Sequence, residues 1–238
     1  MSHPERIVPD DTEPGIVAIH LKRYEFARPL CSERDVLDAA CGVGYGTAYL
    51  AEEAKRAVGI DVDAGAIAYA RRRYGRPNVE FVEQDLGELD LPDDSFDVVC
   101  SFETIEHLAQ PEAFLAHAAR VLRPDGVFVV STPRVDETTA SPDNPFHTLE
   151  LSRDDFEAML GRHFGAVELY GQHRIQTRRH RLLQRADVLG LRKRLSFVRR
   201  ASRVVAGTAA LDEVTADEIE ITRDGLDSAS ELVAVCRP

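Results

Sequence analysis

The sequence predicts a doubly wound α/β fold on a mostly parallel sheet. Short apolar runs alternate along the chain with segments of helical periodicity. A glycine-rich turn, Cys41-Gly42-Val43-Gly44-Tyr45-Gly46, separates the first apolar run from the first helix after it. Successive runs then end on the acids Asp38, Asp61 and Asp85. A parallel arrangement gathers such strand ends on one edge of the sheet, the edge where open α/β sheets bind ligands.

Residues 35–40 read as the first strand, and the glycine turn leads into a helix over 47–54. A strand at 56–61 precedes a helix at 64–74, and a third strand covers 79–84. The fourth strand, 96–101, is wholly apolar at Val98-Val99. A helix over 112–122 is stopped by Arg123-Pro124-Asp125-Gly126, and 127–131 is the fifth strand. A turn-rich loop occupies 132–144. Ser152, three residues before Asp155, is placed to cap a further helix. Residues 164–170 and 232–236 read as two late strands, and 15–26 as a helix preceding the first. The expected organisation is an N-terminal helical lid over 1–30 and a core over 31–171. A basic helical insertion over 172–210 and a return to the core over 211–238 complete it.

Composition restricts the function classes. The chain has 238 residues, 44% apolar and 29% charged, as in ordinary globular proteins. No run approaches the roughly 20 apolar residues of a membrane span, and the polar start lacks a secretory signal's apolar region. Cys31, Cys41, Cys100 and Cys236 form no Cys-x-x-Cys pair and read as reduced thiols, so a cytoplasmic location is expected. The net charge of −12 is uneven: residues 174–203 carry eleven Lys or Arg against the single acid Asp187. The acidic remainder argues against general nucleic-acid binding. The basic stretch suits contact with an anionic surface or acceptor, and equally a solvated helix whose arginines pair with the acidic body.

The loop has two candidate ligands. A nicotinamide dinucleotide needs Gly-x-Gly-x-x-Gly around its pyrophosphate, but Thr47 stands where the third glycine would fall. Asp38, just before the loop, would repel a pyrophosphate and suits a cationic cofactor. Asp61 lies at the right distance to accept from a ribose diol, and Asp85 to accept from an adenine amino group.

The loop, Ile60-Asp61, Gln84-Asp85-Leu86, Phe96-Asp97-Val98-Val99 and Leu122-Arg123-Pro124-Asp125-Gly126 together resemble the ordered motifs of class I S-adenosylmethionine-dependent methyltransferases, in a type 11-like branch. The resemblance runs from Asp35 to Val130 and more loosely to Gln172. It implies a Rossmann-like sheet of seven strands with one antiparallel edge strand, for which 232–236 is suited. It also implies that Asp38, Gly42 and Gly44 line the methionine moiety of S-adenosylmethionine, and that Asp61 holds the ribose. Val62, Asp85 and Leu86 would frame the adenine, with Ser101 under the cofactor. Ala40 departs from the glycine that many members carry before the cysteine.

After the fourth strand comes Glu103-Thr104-Ile105-Glu106-His107. On a helix, Glu103, Glu106 and His107 share one face, while Ile105 and Leu108 turn toward the core. With His147 from the loop after the fifth strand, they offer oxygen and imidazole ligands suited to magnesium or manganese. The Glu-x-x-Glu-His element with a later His resembles the metal site of small-RNA 3′-terminal 2′-O-methyltransferases, and its first part resembles ubiquinone-pathway O-methyltransferases. Residues 131–156 resemble a branch associated with glycan and sugar methylation. Without a metal, the same residues would simply line an acceptor pocket. His107 and His147 are the candidate bases for an acceptor hydroxyl. His20, on the N-terminal helix, is either a third base or a packing residue. The expected function is O-methylation of a sugar, glycan or other polyol. The alternatives are a catechol-like quinone precursor, an RNA 3′ end, or a non-catalytic S-adenosylmethionine-binding protein.

Overall fold

The computed structural model describes residues 6–174 and 216–238. The strands are β1 (Asp35–Ala39), β2 (Arg56–Asp61), β3 (Val79–Glu83), β4 (Phe96–Phe102), β5 (Leu122–Pro133), β6 (Ala166–Arg174), β7 (Ile219–Thr222) and β8 (Glu231–Arg237). The helices are α1 (Pro14–Ala27), α2 (Tyr45–Leu50), α3 (Ala64–Tyr74), α4 (Pro111–Val121) and α5 (Arg153–Leu160). The sheet order is β3-β2-β1-β4-β5-β8-β6-β7. Strands β1 to β5 pair in parallel, and β8 runs antiparallel to both β5 and β6.

The doubly wound fold is as the sequence predicts, with one strand more than the seven expected. The extra strand is β7, four residues long and antiparallel to β6 at the sheet edge. Its pattern, Ile-Glu-Ile-Thr, is too short to stand out by periodicity. The strand expected at 232–236 is β8, which lies between β5 and β6 rather than at the edge. The basic stretch falls mostly outside the described residues. Residues 172–174, at the start of the insertion expected over 172–210, belong to β6.

Alternation along the central strands builds two core layers. Leu37 and Ala39 of β1 pack with Phe114 of α4 and Phe156 of α5, whereas Val36 faces Tyr24 and Ala27 of α1 and Leu50 of α2. The same division separates Phe128 and Val130 from Val127 and Val129 in β5. Both faces are covered, as a parallel sheet requires, which is why these strands read as continuous apolar runs. Helix starts follow local chemistry. Asp63 accepts from the Ala66 N–H at 2.8 Å to cap α3, Ser152 accepts from the Asp155 N–H at 3.3 Å to cap α5, and α4 opens on Pro111.

Helix α1 docks through Tyr24, whose ring packs edge-on against Phe102 at 4.9 Å between centroids and lies over Gly46. A Cβ at Gly46 would overlap the Tyr24 ring. Gly46→Ala is therefore expected to destabilise the fold by about 1–3 kcal/mol, the usual cost of overpacking. Urea unfolding should show a lower midpoint at unchanged slope, and an unchanged midpoint would mean that α1 does not dock through this contact. No described helix is long and apolar enough to cross a membrane.

Candidate active site

The strand order reverses between β1 and β4, which opens a crevice at the carboxyl edge of the sheet. A cavity of about 640 Å³ occupies this edge. Gly42, Asp61, Val62, Asp85 and Leu86 line one part of it, and His20, Glu103 and His107 another.

The loop after β1 takes left-handed backbone at Ala40 (φ 64°), Gly42 (φ 55°) and Gly44 (φ 85°). At Ala40 that conformation costs roughly 1–2 kcal/mol, which explains why a glycine suits the position. Gly42 faces open space, with no atom within 4 Å of where a Cβ would stand. Its N–H donates to Asp61 Oδ2 at 2.9 Å, and Asp61 Oδ1 accepts from the Asp63 N–H at 2.9 Å. Arg6 reaches the same corner, with Nη1 2.8 Å from Asp63 Oδ2 and Nη2 3.5 Å from Asp61 Oδ1. Its guanidinium, with the Ala66 N–H, holds the Asp63 carboxyl down at about 2. Asp85 accepts from the Gly87 N–H at 2.8 Å, and Val62 is 67% exposed at the rim. These residues fit a nucleoside: an open glycine cradle, a buried carboxylate for a diol, and apolar walls.

Three residues expected against the cofactor lie behind the cavity wall. Asp38 is buried and accepts from Thr47 Oγ1 at 2.6 Å and from the Tyr24 hydroxyl at 3.3 Å. Burial raises its pKa to about 7, against the lowering effect of those two donors. Gly44 packs inward, where a Cβ would come within 2.5 Å of Phe81 Cε1. Ser101 is fully buried, and its hydroxyl has no hydrogen-bond partner.

The acidic element after β4 is not the helix its spacing suggested. Glu103 takes left-handed backbone (φ 49°), and a 3-10 turn follows at Ile105–His107. Glu103 therefore lies outside the turn that carries Glu106 and His107, and the face expected to be shared by all three is lost. Glu103 Oε1 accepts from Ser131 Oγ at 2.7 Å, and its Oε2 lies 3.5 Å from Arg23 Nη2. Ile105 is buried in the core as expected. Glu106, His107 and His147 do converge, with ligand atoms all within 4.8 Å of one another, so Glu103 drops out of the predicted four. His107 forms part of the cavity lining, and Glu106 and His147 stand behind it.

Glu106 is buried. Its Oε2 accepts from Thr132 Oγ1 at 3.1 Å, and its Oε1 has no partner. Burial, together with the neighbouring Glu103 carboxylate, pushes its pKa well above the ordinary range. The Thr148 N–H donates to the Glu106 carbonyl at 2.7 Å, which fastens the loop bearing His147 to the turn bearing His107. On α1, His20 lines the cavity, and burial and the Arg23 charge hold it below its ordinary pKa, so it stays neutral. Arg23 and Thr132 were not among the sequence candidates; an arginine on an apolar helix face was the available signal for the first.

Residues 37–130 match the family described as a methyltransferase domain. The chain carries a class I S-adenosylmethionine-dependent methyltransferase domain. It is 43% identical over 162 residues to the probable S-adenosylmethionine-dependent methyltransferase Rv3030 of Mycobacterium tuberculosis, covering 66% of this chain and 58% of that protein. It is 35% identical over 133 residues to the fatty-acid O-methyltransferase of Mycolicibacterium smegmatis, covering 53% of this chain and 48% of that protein. The chain thus spans about half to three-fifths of the length of these relatives. The YcgJ protein of Bacillus subtilis superposes with a TM-score of 0.58 at 18% identity, covering 92% of this chain and 99% of that one, a likeness of fold.

Proposed function

We propose that the chain methylates an oxygen of a sugar or other polyol acceptor, with a divalent cation held by Glu106, His107 and His147. The observation that carries this reading is the unpartnered Glu106 Oε1, buried beside the imidazoles of His107, on the cavity lining, and His147, behind it. An uncompensated buried carboxylate is costly, and a cation would offset that cost. One carboxylate and two imidazoles without a thiolate suit a borderline divalent ion such as manganese better than a structural zinc-thiolate site. Such an ion supplies acidity to a bound hydroxyl. Gly42, Asp61 and Asp85 hold the nucleoside, and S-adenosylmethionine supplies an already activated methyl group, so alignment accounts for much of the rate.

The test is methyl transfer from labelled S-adenosylmethionine to a panel of nucleotide sugars, glycolipids, catechols and short RNAs. A fatty acid is included because one relative carries that activity in its name. Turnover on a polyol that stops in excess chelator and returns with manganese or magnesium is the expected result. Full turnover in chelator would reject the cation and leave His107, on the cavity lining, as a plain base. No transfer to any acceptor, with S-adenosylmethionine still bound, would favour a non-catalytic binding protein.

A further inference from the structure

His147 has both ring nitrogens engaged. Nδ1 lies 2.6 Å from Glu150 Oε1, and Nε2 lies 3.0 Å from Asn144 Nδ2. The Asn144 amide is oriented by its other end, because Oδ1 accepts from the Phe146 N–H at 3.0 Å. Nδ2 is therefore a donor facing Nε2, so Nε2 is the acceptor and Nδ1 carries the proton toward Glu150. The His147 ring thus keeps the tautomer in which Nε2 carries the lone pair. His107 Nδ1 lies 3.0 Å from the Phe146 carbonyl oxygen. Glu150 is itself fixed through its backbone, which exchanges two 2.9 Å hydrogen bonds with Thr139.

We infer that Glu150 and Asn144 act on His147 in opposite senses: Glu150 positions the ring for a divalent cation, and Asn144 guards Nε2 until the cation displaces it. The inference rests on the metal reading proposed above. A carboxylate accepting from the far nitrogen of a ligating histidine fixes the tautomer and raises ligand basicity, and loss of such a partner typically costs 10–100-fold in metal affinity. The Asn144 amide competes for the same lone pair. Its removal should return the value of one neutral hydrogen bond, about three- to tenfold in affinity.

The experiment is a manganese titration of the full chain by calorimetry, wild type against Glu150→Ala, Glu150→Gln and Asn144→Ala. Thermal melts would establish that each variant folds. Long-range proton–nitrogen NMR on histidine-labelled, metal-free protein reads the ring tautomer. The expected results are an Nδ1–H ring at His147 in the wild type and a mixture in Glu150→Ala. Manganese should bind 10–100-fold more weakly to Glu150→Ala, partly recover in Glu150→Gln, and bind about three- to tenfold more tightly to Asn144→Ala. Opposite signs at two neighbouring positions are not produced by loosened loop packing. Manganese binding in the wild type with unchanged variants, or with Asn144→Ala weakened like Glu150→Ala, overturns this inference alone. An Nε2–H ring in the wild type also overturns it. No manganese binding by the wild type overturns the metal reading and the inference together.

Discussion

Asp61→Ala is expected to weaken S-adenosylmethionine binding by at least tenfold. Asp61 lies in the cavity lining at the end of β2, with its carboxylate already oriented by the Gly42 and Asp63 N–H groups. Hydrogen bonds to a charged group are worth about 1.5–3 kcal/mol each, so losing one ribose hydroxyl contact accounts for tenfold, and losing both for a hundredfold or more. The same substitution frees the Gly42 N–H from its acceptor, which loosens the loop. Asp61→Asn separates the contributions, because an amide oxygen still accepts from Gly42 while the charge is gone. Calorimetry with S-adenosylmethionine and its demethylated product should rank wild type above Asn, and Asn above Ala. Unchanged affinity in Asp61→Ala would remove Asp61 from the cofactor site.

Asp38→Asn is expected to stabilise the protein at pH 8 and leave it little changed at pH 4. The folded-state pKa of Asp38 is raised from an ordinary 3.8 to about 7 by burial. Between those values the folded chain holds a proton that the unfolded chain has released, so unfolding becomes easier as pH rises. The stabilising contribution of the neutral acid is complete below about pH 4 and is lost as pH climbs through about 7. A shift of that size corresponds to a few kcal/mol above pH 7. Burial also raises Glu106 and Glu231, which slope in the same direction. The difference between Asp38→Asn and wild type isolates the share of Asp38. Urea midpoints measured from pH 4 to pH 8 should diverge with rising pH, and parallel curves would show that the carboxylate is not buried as described.

The parts legible in the sequence are those set by near neighbours. The apolar strand runs and the cap at Ser152 follow from local chemistry, and the helix expected at 64–74 is α3 residue for residue. Asp61, Asp85 and Gly42 were legible because parallel strands and their following turns bring those positions to one edge. The spacing of Glu103, Glu106 and His107 misled because it implies one face only if all three lie on one continuous helix, and Glu103 takes left-handed backbone before a 3-10 turn that begins at Ile105. Asp38 was expected at the ligand, but the docking of α1 brings the Tyr24 hydroxyl onto it and seals it behind the wall.

The sequence by itself determined the fold class and the gathering of Gly42, Asp61 and Asp85 at one sheet edge, because periodicity, glycine placement and strand-end acids act over short stretches of chain. Only the tertiary structure decided which polar side chains meet. Glu106 faces Thr132, His107 faces the Phe146 carbonyl, His147 faces Glu150, and Glu103 is drawn to Ser131 and Arg23. Most of those partners come from distant segments. The selection among them rests on burial, since a polar group withdrawn from water must find its hydrogen bond within the fold, and no local spacing rule states where that partner will be.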